Sequence, residues 1–244
     1  MNKYRYFIEL QYDGSNYHGW QFQNNALTVQ EVLEHGFSTI LRQKIDVTGC
    51  GRTDTGVHAS FYVAHFEYDT EIDAQKTTHR LNTFLPKDIV ISNIYLVDNE
   101  KHARFSASKR TYNYFIHQQK NPFKENYSYH LYGTLNFDAM QKACQYLIGK
   151  KDFSSFCKDI KNAQGTMCTV YEAFWEKENN SFKFTISANR FLRNMVRAIV
   201  GTLVEIGKEK LQPEDIIKIL EQKDRSIAGQ SVPGKALFLA AITY

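Results

Sequence analysis

Ile45-Asp46-Val47-Thr48-Gly49-Cys50-Gly51-Arg52-Thr53-Asp54-Thr55-Gly56-Val57-His58-Ala59 places three glycines within eight residues around one arginine and one carboxylate. Residues 45–50 before the loop and 61–68 after it read as strands, so the loop joins a hairpin-like pair and holds Asp54 at the edge of a sheet. Catalytic groups are commonly displayed on loops of this kind, although a tight β-turn with a solvated Asp fits the spacing equally well. Two familiar alternatives fail on the letters. Gly51 and Gly56 have P-loop spacing, but Val57 and His58 stand where Lys and Ser or Thr would grip phosphate and Mg²⁺. Gly49 and Gly51 begin a dinucleotide fingerprint whose third glycine is replaced by Asp54.

Working outward, residues 5–12 alternate as a half-buried strand and Asp13-Gly14-Ser15-Asn16 breaks it. Thr28-Val29-Gln30-Glu31 is a capping-box sequence, with Val32, Leu33, Phe37, Ile40 and Leu41 at helical spacing behind it and an end near Arg42. A second helix begins at Asp73 and stops at Pro86, and residues 89–97 form another strand. The order is strand-helix-strand-strand-helix-strand, as in ferredoxin-like and RRM-like folds. Downstream, a strand at 109–117, a helix at 137–148 closed by Gly149, strands at 169–177 and 181–188, a helix at 192–206 and a strand at 236–244 roughly repeat it, with an added short helix at 213–222. The expected fold is therefore α+β, with two similar halves spanning residues 1–105 and 106–244. Their helices pack on a largely antiparallel mixed sheet.

At 244 residues the chain is long enough for one large core or two modest ones. The opening Met1-Asn2-Lys3-Tyr4-Arg5-Tyr6 holds no apolar signal core, and no stretch approaches the roughly 18 apolar residues of a membrane span. A cytoplasmic protein without membrane contact is the expectation. Cys50, Cys144, Cys157 and Cys168 form no Cys-x-x-Cys pair, which argues against a zinc ribbon or dithiol site and for reduced, packed thiols. A net charge of +4 is too mild to name a polyanion partner, but the basic residues cluster around 101–110, 150–161 and 190–197.

Two constellations carry possible chemistry. A helix at 192–206 puts Leu192, Met195, Val196, Ile199 and Leu203 on one side and Arg190, Arg193, Asn194 and Arg197 on the other, and arginines suit phosphate or carboxylate as well as plain solvation. In residues 109–116, alternation puts Arg110, Tyr112, Tyr114 and Ile116 on one face, either as core or as a stacking platform for a base. His58 reads as a hydrogen-bonded structural residue.

Gly51-Arg52-Thr53-Asp54-x-Gly56-Val57-His58-Ala59 resembles the signature of the bacterial tRNA pseudouridine synthase A family. Tyr12-Asp13-Gly14, Tyr17-x-Gly19-Trp20-Gln21, Phe105-Ser106-Ala107, Tyr112-x-Tyr114, Asp152-Phe153-Ser154-Ser155-Phe156, Ala188-Asn189-x-Phe191, Met195-Val196-Arg197 and Leu237-Phe238-Leu239 match it in order. Thr55 departs from the usual Ala, Tyr62 from a common Gln, and Ala236 from a frequent Gly. The resemblance implies a homodimer that converts uridine to pseudouridine at tRNA positions 38–40 without cofactor or metal, in a cleft between the halves. It implies Asp54 as the nucleophile, Arg197 as its cationic partner, Arg52 in the vacated stack or on phosphate, and Tyr112 stacked on the flipped uracil. Arg190 and Arg193 are expected to bind phosphate. The rivals are a tRNA-binding chaperone without chemistry and a synthase for another RNA site.

Overall fold

A computed structural model describes residues 3–244. The alternation at the start of the chain becomes β1 (Tyr4–Tyr12), and the Asp13 side chain then accepts from the Ser15 amide to turn the chain. Thr28 caps α1 (Val29–Leu41) by accepting from the Glu31 amide, and Arg42 closes it in the left-handed region at φ 56°. Asp73 caps α2 (Ala74–Phe84) in the same way, and Leu85 is extended, as a residue before proline prefers. β2 is only Thr48–Gly49, shorter than the spacing predicts, while β3 (His58–Tyr68) starts three residues earlier, and β4 is Ile89–Val97.

The chain divides into two compact units, one running to Ser108 together with Phe238–Tyr244, the other Lys109–Leu237. In the first unit β1 lies between β4 and β3 and is antiparallel to both, with β2 antiparallel on β3. This is the sheet of the expected strand-helix-strand-strand-helix-strand order. β10 (Leu237–Thr243), counted with the second half by element order, pairs in parallel with β3 at Phe238↔His58 and Leu239↔Ala59. Leu33 and Phe37 of α1 and Leu81 of α2 are fully buried, and the Phe37 ring lies 4.7 Å from that of Phe66 on β3. Asn82 of α2 exchanges two hydrogen bonds with the Ile91 backbone, at 2.7 and 2.8 Å, and so fixes the helix to β4.

The second unit runs β5 (Lys109–His117), β6 (Tyr129–His130), α3 (Phe137–Gln145), β7 (Gly149–Asp152), β8 (Met167–Glu178), β9 (Ser181–Ala188), α4 (Met195–Gly207) and α5 (Asp215–Gln222). Its strands lie in the order β5-β9-β8-β7, all antiparallel, with β6 parallel on β5. α3 stops earlier than its periodicity predicts, and Gly149, at φ 98°, opens β7 instead of capping the helix. The largest correction concerns α4. Asn194 sits in the left-handed region at φ 65°, so Leu192 and Arg193 lie in the preceding turn and the helix begins at Met195. Arg190, Arg193 and Arg197 therefore do not share a helix face. All of α4 except Arg197 and Glu205 is buried.

The four cysteines are buried free thiols. Burial pushes Cys144 up to about 12 and Cys168 up to about 11, which keeps both protonated at neutral pH.

Candidate functional site

Between β2 and β3 the chain has no regular structure, yet its backbone is pinned almost residue by residue. The Cys50 amide donates to the Val63 carbonyl at 2.9 Å, and the Tyr62 hydroxyl donates to the Gly51 carbonyl. Thr53 is buried, with its hydroxyl 2.8 Å from that of Tyr12, and its carbonyl accepts from the Trp20 amide at 3.2 Å. The Asp54 carbonyl accepts from the Val57 amide at 3.1 Å, which closes a turn whose third residue, Gly56, has φ 72°. That position needs glycine. The Gly56 amide in turn donates to the Tyr17 carbonyl at 3.3 Å.

Beneath this loop Trp20 stacks on Tyr62, with ring centroids 4.1 Å apart, and Tyr12 leans on Tyr62 at 5.5 Å. Gly49 lies directly on that aromatic bed, where a Cβ would meet the Tyr62 hydroxyl at 2.2 Å and Trp20 Cε2 at 2.5 Å. The half-buried Asp54 carboxylate is thus carried on a backbone with little freedom, next to an exposed Arg52 whose Nε donates to Gln21 at 3.2 Å. Thr55 faces solvent on the outside of the turn, and Tyr62 is the residue that holds Gly51. His58 is structural. Its buried ring stacks on Phe238, and Nδ1 accepts from the Gly14 amide at 3.0 Å. Tyr17 donates to Asp88 at 2.6 Å, and its phenol is raised by burial and by that carboxylate.

The remaining expected residues lie in the second unit. Tyr112 is half-buried on β5 opposite Ile186, and its ring meets Phe191 edge-on at 5.1 Å. Tyr114, two residues on, is core: it is fully buried, it donates to the Pro233 carbonyl at 3.0 Å, and burial raises its phenol. Arg110 donates to the Asn189 carbonyl at 2.9 Å. Arg197 Nε donates to the Val232 carbonyl at 2.8 Å, and the Val232 amide returns a bond to the Arg197 carbonyl at 3.3 Å. Arg190 donates to the Gln164 carbonyl at 2.7 Å, and the exposed Arg193 pairs with Asp159 at 3.2 Å.

Asp54 and Arg52 therefore share one loop, Arg190 and Arg193 the segment before α4, and Arg197 the first turn of α4. Sequence reasoning missed the bed under the loop. Tyr12 and Trp20 read equally as core or as stacking surfaces, and Tyr62 only as a departure from a common Gln.

The model of a tRNA pseudouridine synthase family matches residues 10–106 and 143–244, which takes in the Asp54 loop and the Arg190–Arg197 segment. The chain belongs to the tRNA pseudouridine synthase family. It is therefore a member of an isomerase family that acts on tRNA. It is 47% identical over 243 residues to tRNA pseudouridine synthase A of Bacteroides thetaiotaomicron, covering 98% of this chain and 90% of that protein. The protein of the same name from Bacteroides fragilis is 47% identical over 246 residues, covering 100% of this chain and 98% of the other. That of Thermoanaerobacter pseudethanolicus is 43% identical over 239 residues, covering 97% and 98%. Tyr112 falls between the two segments matched by the tRNA pseudouridine synthase model. Among the described residues, no helix is long and apolar enough to cross a membrane.

Proposed function

We propose that this tRNA pseudouridine synthase isomerises uridine at positions 38–40 of the anticodon stem-loop with Asp54 as its nucleophile. The reading is supported chiefly by the presentation of Asp54, a half-buried carboxylate on a loop anchored by backbone hydrogen bonds at Cys50, Gly51, Thr53, Asp54, Gly56 and Val57. A nucleophile held in this way loses little freedom on reaching the reacting atom.

The chemistry is an isomerisation with closed balance. The C1′–N1 bond breaks, C1′–C5 forms, C5 loses a proton and N1 gains one, so no electrons are exchanged with a second reactant. The target base must first leave its stack, at a cost of about a few kcal/mol. Arg52, exposed beside Asp54, fills the vacated stack or holds a phosphate. Tyr112 stacks on the displaced uracil and assists loss of the C5 proton. Arg197 is the cationic partner that favours an ionised carboxylate. Arg190 and Arg193 bind tRNA phosphates. The enzyme works as a cytoplasmic homodimer.

Mapping pseudouridine in tRNA from cells with and without the gene tests the site assignment. Loss confined to positions 38–40 is the expected result, and loss at another RNA site instead would overturn it.

A further inference from the structure

His117 at the end of β5, His130 on β6 and Glu125 in the loop between them each offer one ligand atom, and the three atoms lie within 4.8 Å of one another. His117 is 2% exposed, and its Nε2 has no hydrogen-bond partner. The Nε2 of His130 is buried and unpartnered as well. The two rings stack nearly parallel, 4.8 Å between centroids and 9° between planes, so the two residues with unpartnered nitrogens lie side by side. A buried imidazole nitrogen without a partner is costly, and two side by side ask for a shared occupant.

We propose that His117, His130 and Glu125 bind a divalent transition metal ion, with Zn²⁺ the best fit, in a structural site that ties β5, β6 and the intervening loop together. The donor set is two imidazoles and a carboxylate, which suits Zn²⁺ and leaves a fourth position for water. His117 Nδ1 lies 3.0 Å from the Ser128 hydroxyl, and donating to it fixes the tautomer that leaves the Nε2 lone pair free. Such an outer hydrogen bond is the usual support of a metal-binding histidine.

Metal–ligand bonds of about 2.0–2.2 Å set tetrahedral ligand atoms about 3.4 Å apart, so the three groups must close in, and the His130 ring must turn out of its stack on His117 so that both in-plane lone pairs meet at the ion. The exposed Glu125, on a loop, can supply the closing movement. Two ammonium groups oppose the ion. Lys235 pairs with Glu125 at 2.7 Å and would have to yield it, while Lys124 is drawn off to the Ser181 hydroxyl at 2.7 Å. The Lys235 pair is solvent-exposed and of the kind that gives way readily.

The test is titration of the tag-free, chelator-treated full chain with Zn²⁺, and with Co²⁺ as a spectroscopic probe. One equivalent should bind and raise the melting temperature, and Co²⁺ should give ligand-field bands without thiolate charge transfer. His130→Gln should abolish saturable binding. Because that change sits in a strand and can disturb folding, exposed Glu125→Gln is the second variant and should weaken binding roughly tenfold or more. Absence of one-equivalent binding would overturn the proposal and leave the imidazoles to an ordered water. Thiolate bands, or unchanged affinity in well-folded Glu125→Gln, would also overturn it by placing the ion elsewhere.

Discussion

The Asp54 loop and the segment at 189–194 are both polar stretches beside a buried strand, but they present their charged groups differently. Around Asp54 the restraints are main-chain bonds and the hydroxyls of buried Tyr12 and Tyr62, which have almost no freedom left to lose. The backbone at 189–194 is tied as well, the Asn189 amide to the Thr169 carbonyl and the Arg193 carbonyl to the Lys158 amide, but the charged ends of Arg190 and Arg193 are long side-chain tips that reach one carbonyl and one partly exposed carboxylate. The first arrangement fixes a position; the second keeps cations available for exchange onto another anion. The proposed function assigns the first to a reacting group and the second to phosphate binding, and the variants below test that assignment.

The strongest way to break the comparison is to disturb the bed. Gly49→Ala forces a Cβ to within 2.2 Å of the Tyr62 hydroxyl and should cost about 3 kcal/mol or more in urea unfolding. Gly51→Ala, two residues on, meets nothing within 4 Å and should stay within about 0.5 kcal/mol of the parent. Equal costs at the two positions would mean that the loop is not packed as described.

Tyr62→Phe keeps the stack on Trp20 and removes the hydroxyl that donates to Gly51, so about 1 kcal/mol of stability should go. Its turnover should fall further than its stability does, by about tenfold to a hundredfold, if loop position controls Asp54.

Acidification probes the same unit through His65, which is buried on β3 and accepts from the Ala103 amide at 3.2 Å. Burial, with His102 and Arg5 adding to it, lowers this group from 6.5 to about 4. The unfolded chain then binds the extra proton first as pH falls, so the contribution is present above about 6.5 and lost between about 6.5 and about 4. His65→Gln should flatten the stability profile in that window, as read by denaturant midpoints across pH.

The smallest structural effect is expected at Arg193, whose pair with Asp159 is 63% and 28% exposed. Arg193→Ala should change stability by less than about 0.5 kcal/mol. It should nonetheless weaken tRNA binding and reduce the slope of log K against log salt by about 1. An unchanged slope would return Arg193 to the role of a surface ion pair.

Much of the first unit was legible because its signals are local. Alternation marked β1, Thr28 and Asp73 announced their helices, and the proline after Leu85 ended the second ahead of β4. The glycine loop was legible for the same reason, since turn chemistry is written in adjacent residues. The errors arose where distant contacts decide. A left-handed Asn194 shortened α4 from its apolar period, and only tertiary packing explains why nearly every side of that helix is buried. Parallel pairing of β10 with β3 joins residues about 180 positions apart and leaves no mark in either strand. The hydroxyl contacts of Tyr12 and Tyr62 are equally silent, because an aromatic residue in a strand reads as core whether or not its oxygen supports a loop.

Tritium release from tRNA labelled at uracil C5 tests the central claim most directly, with the parent chain compared against Asp54→Asn and RNA binding measured for both. The account predicts release by the parent and, at retained affinity, none detectable from the variant, a loss of about 10⁴-fold or more. Release by Asp54→Asn at the parent rate, or binding by both without release from either, would contradict it.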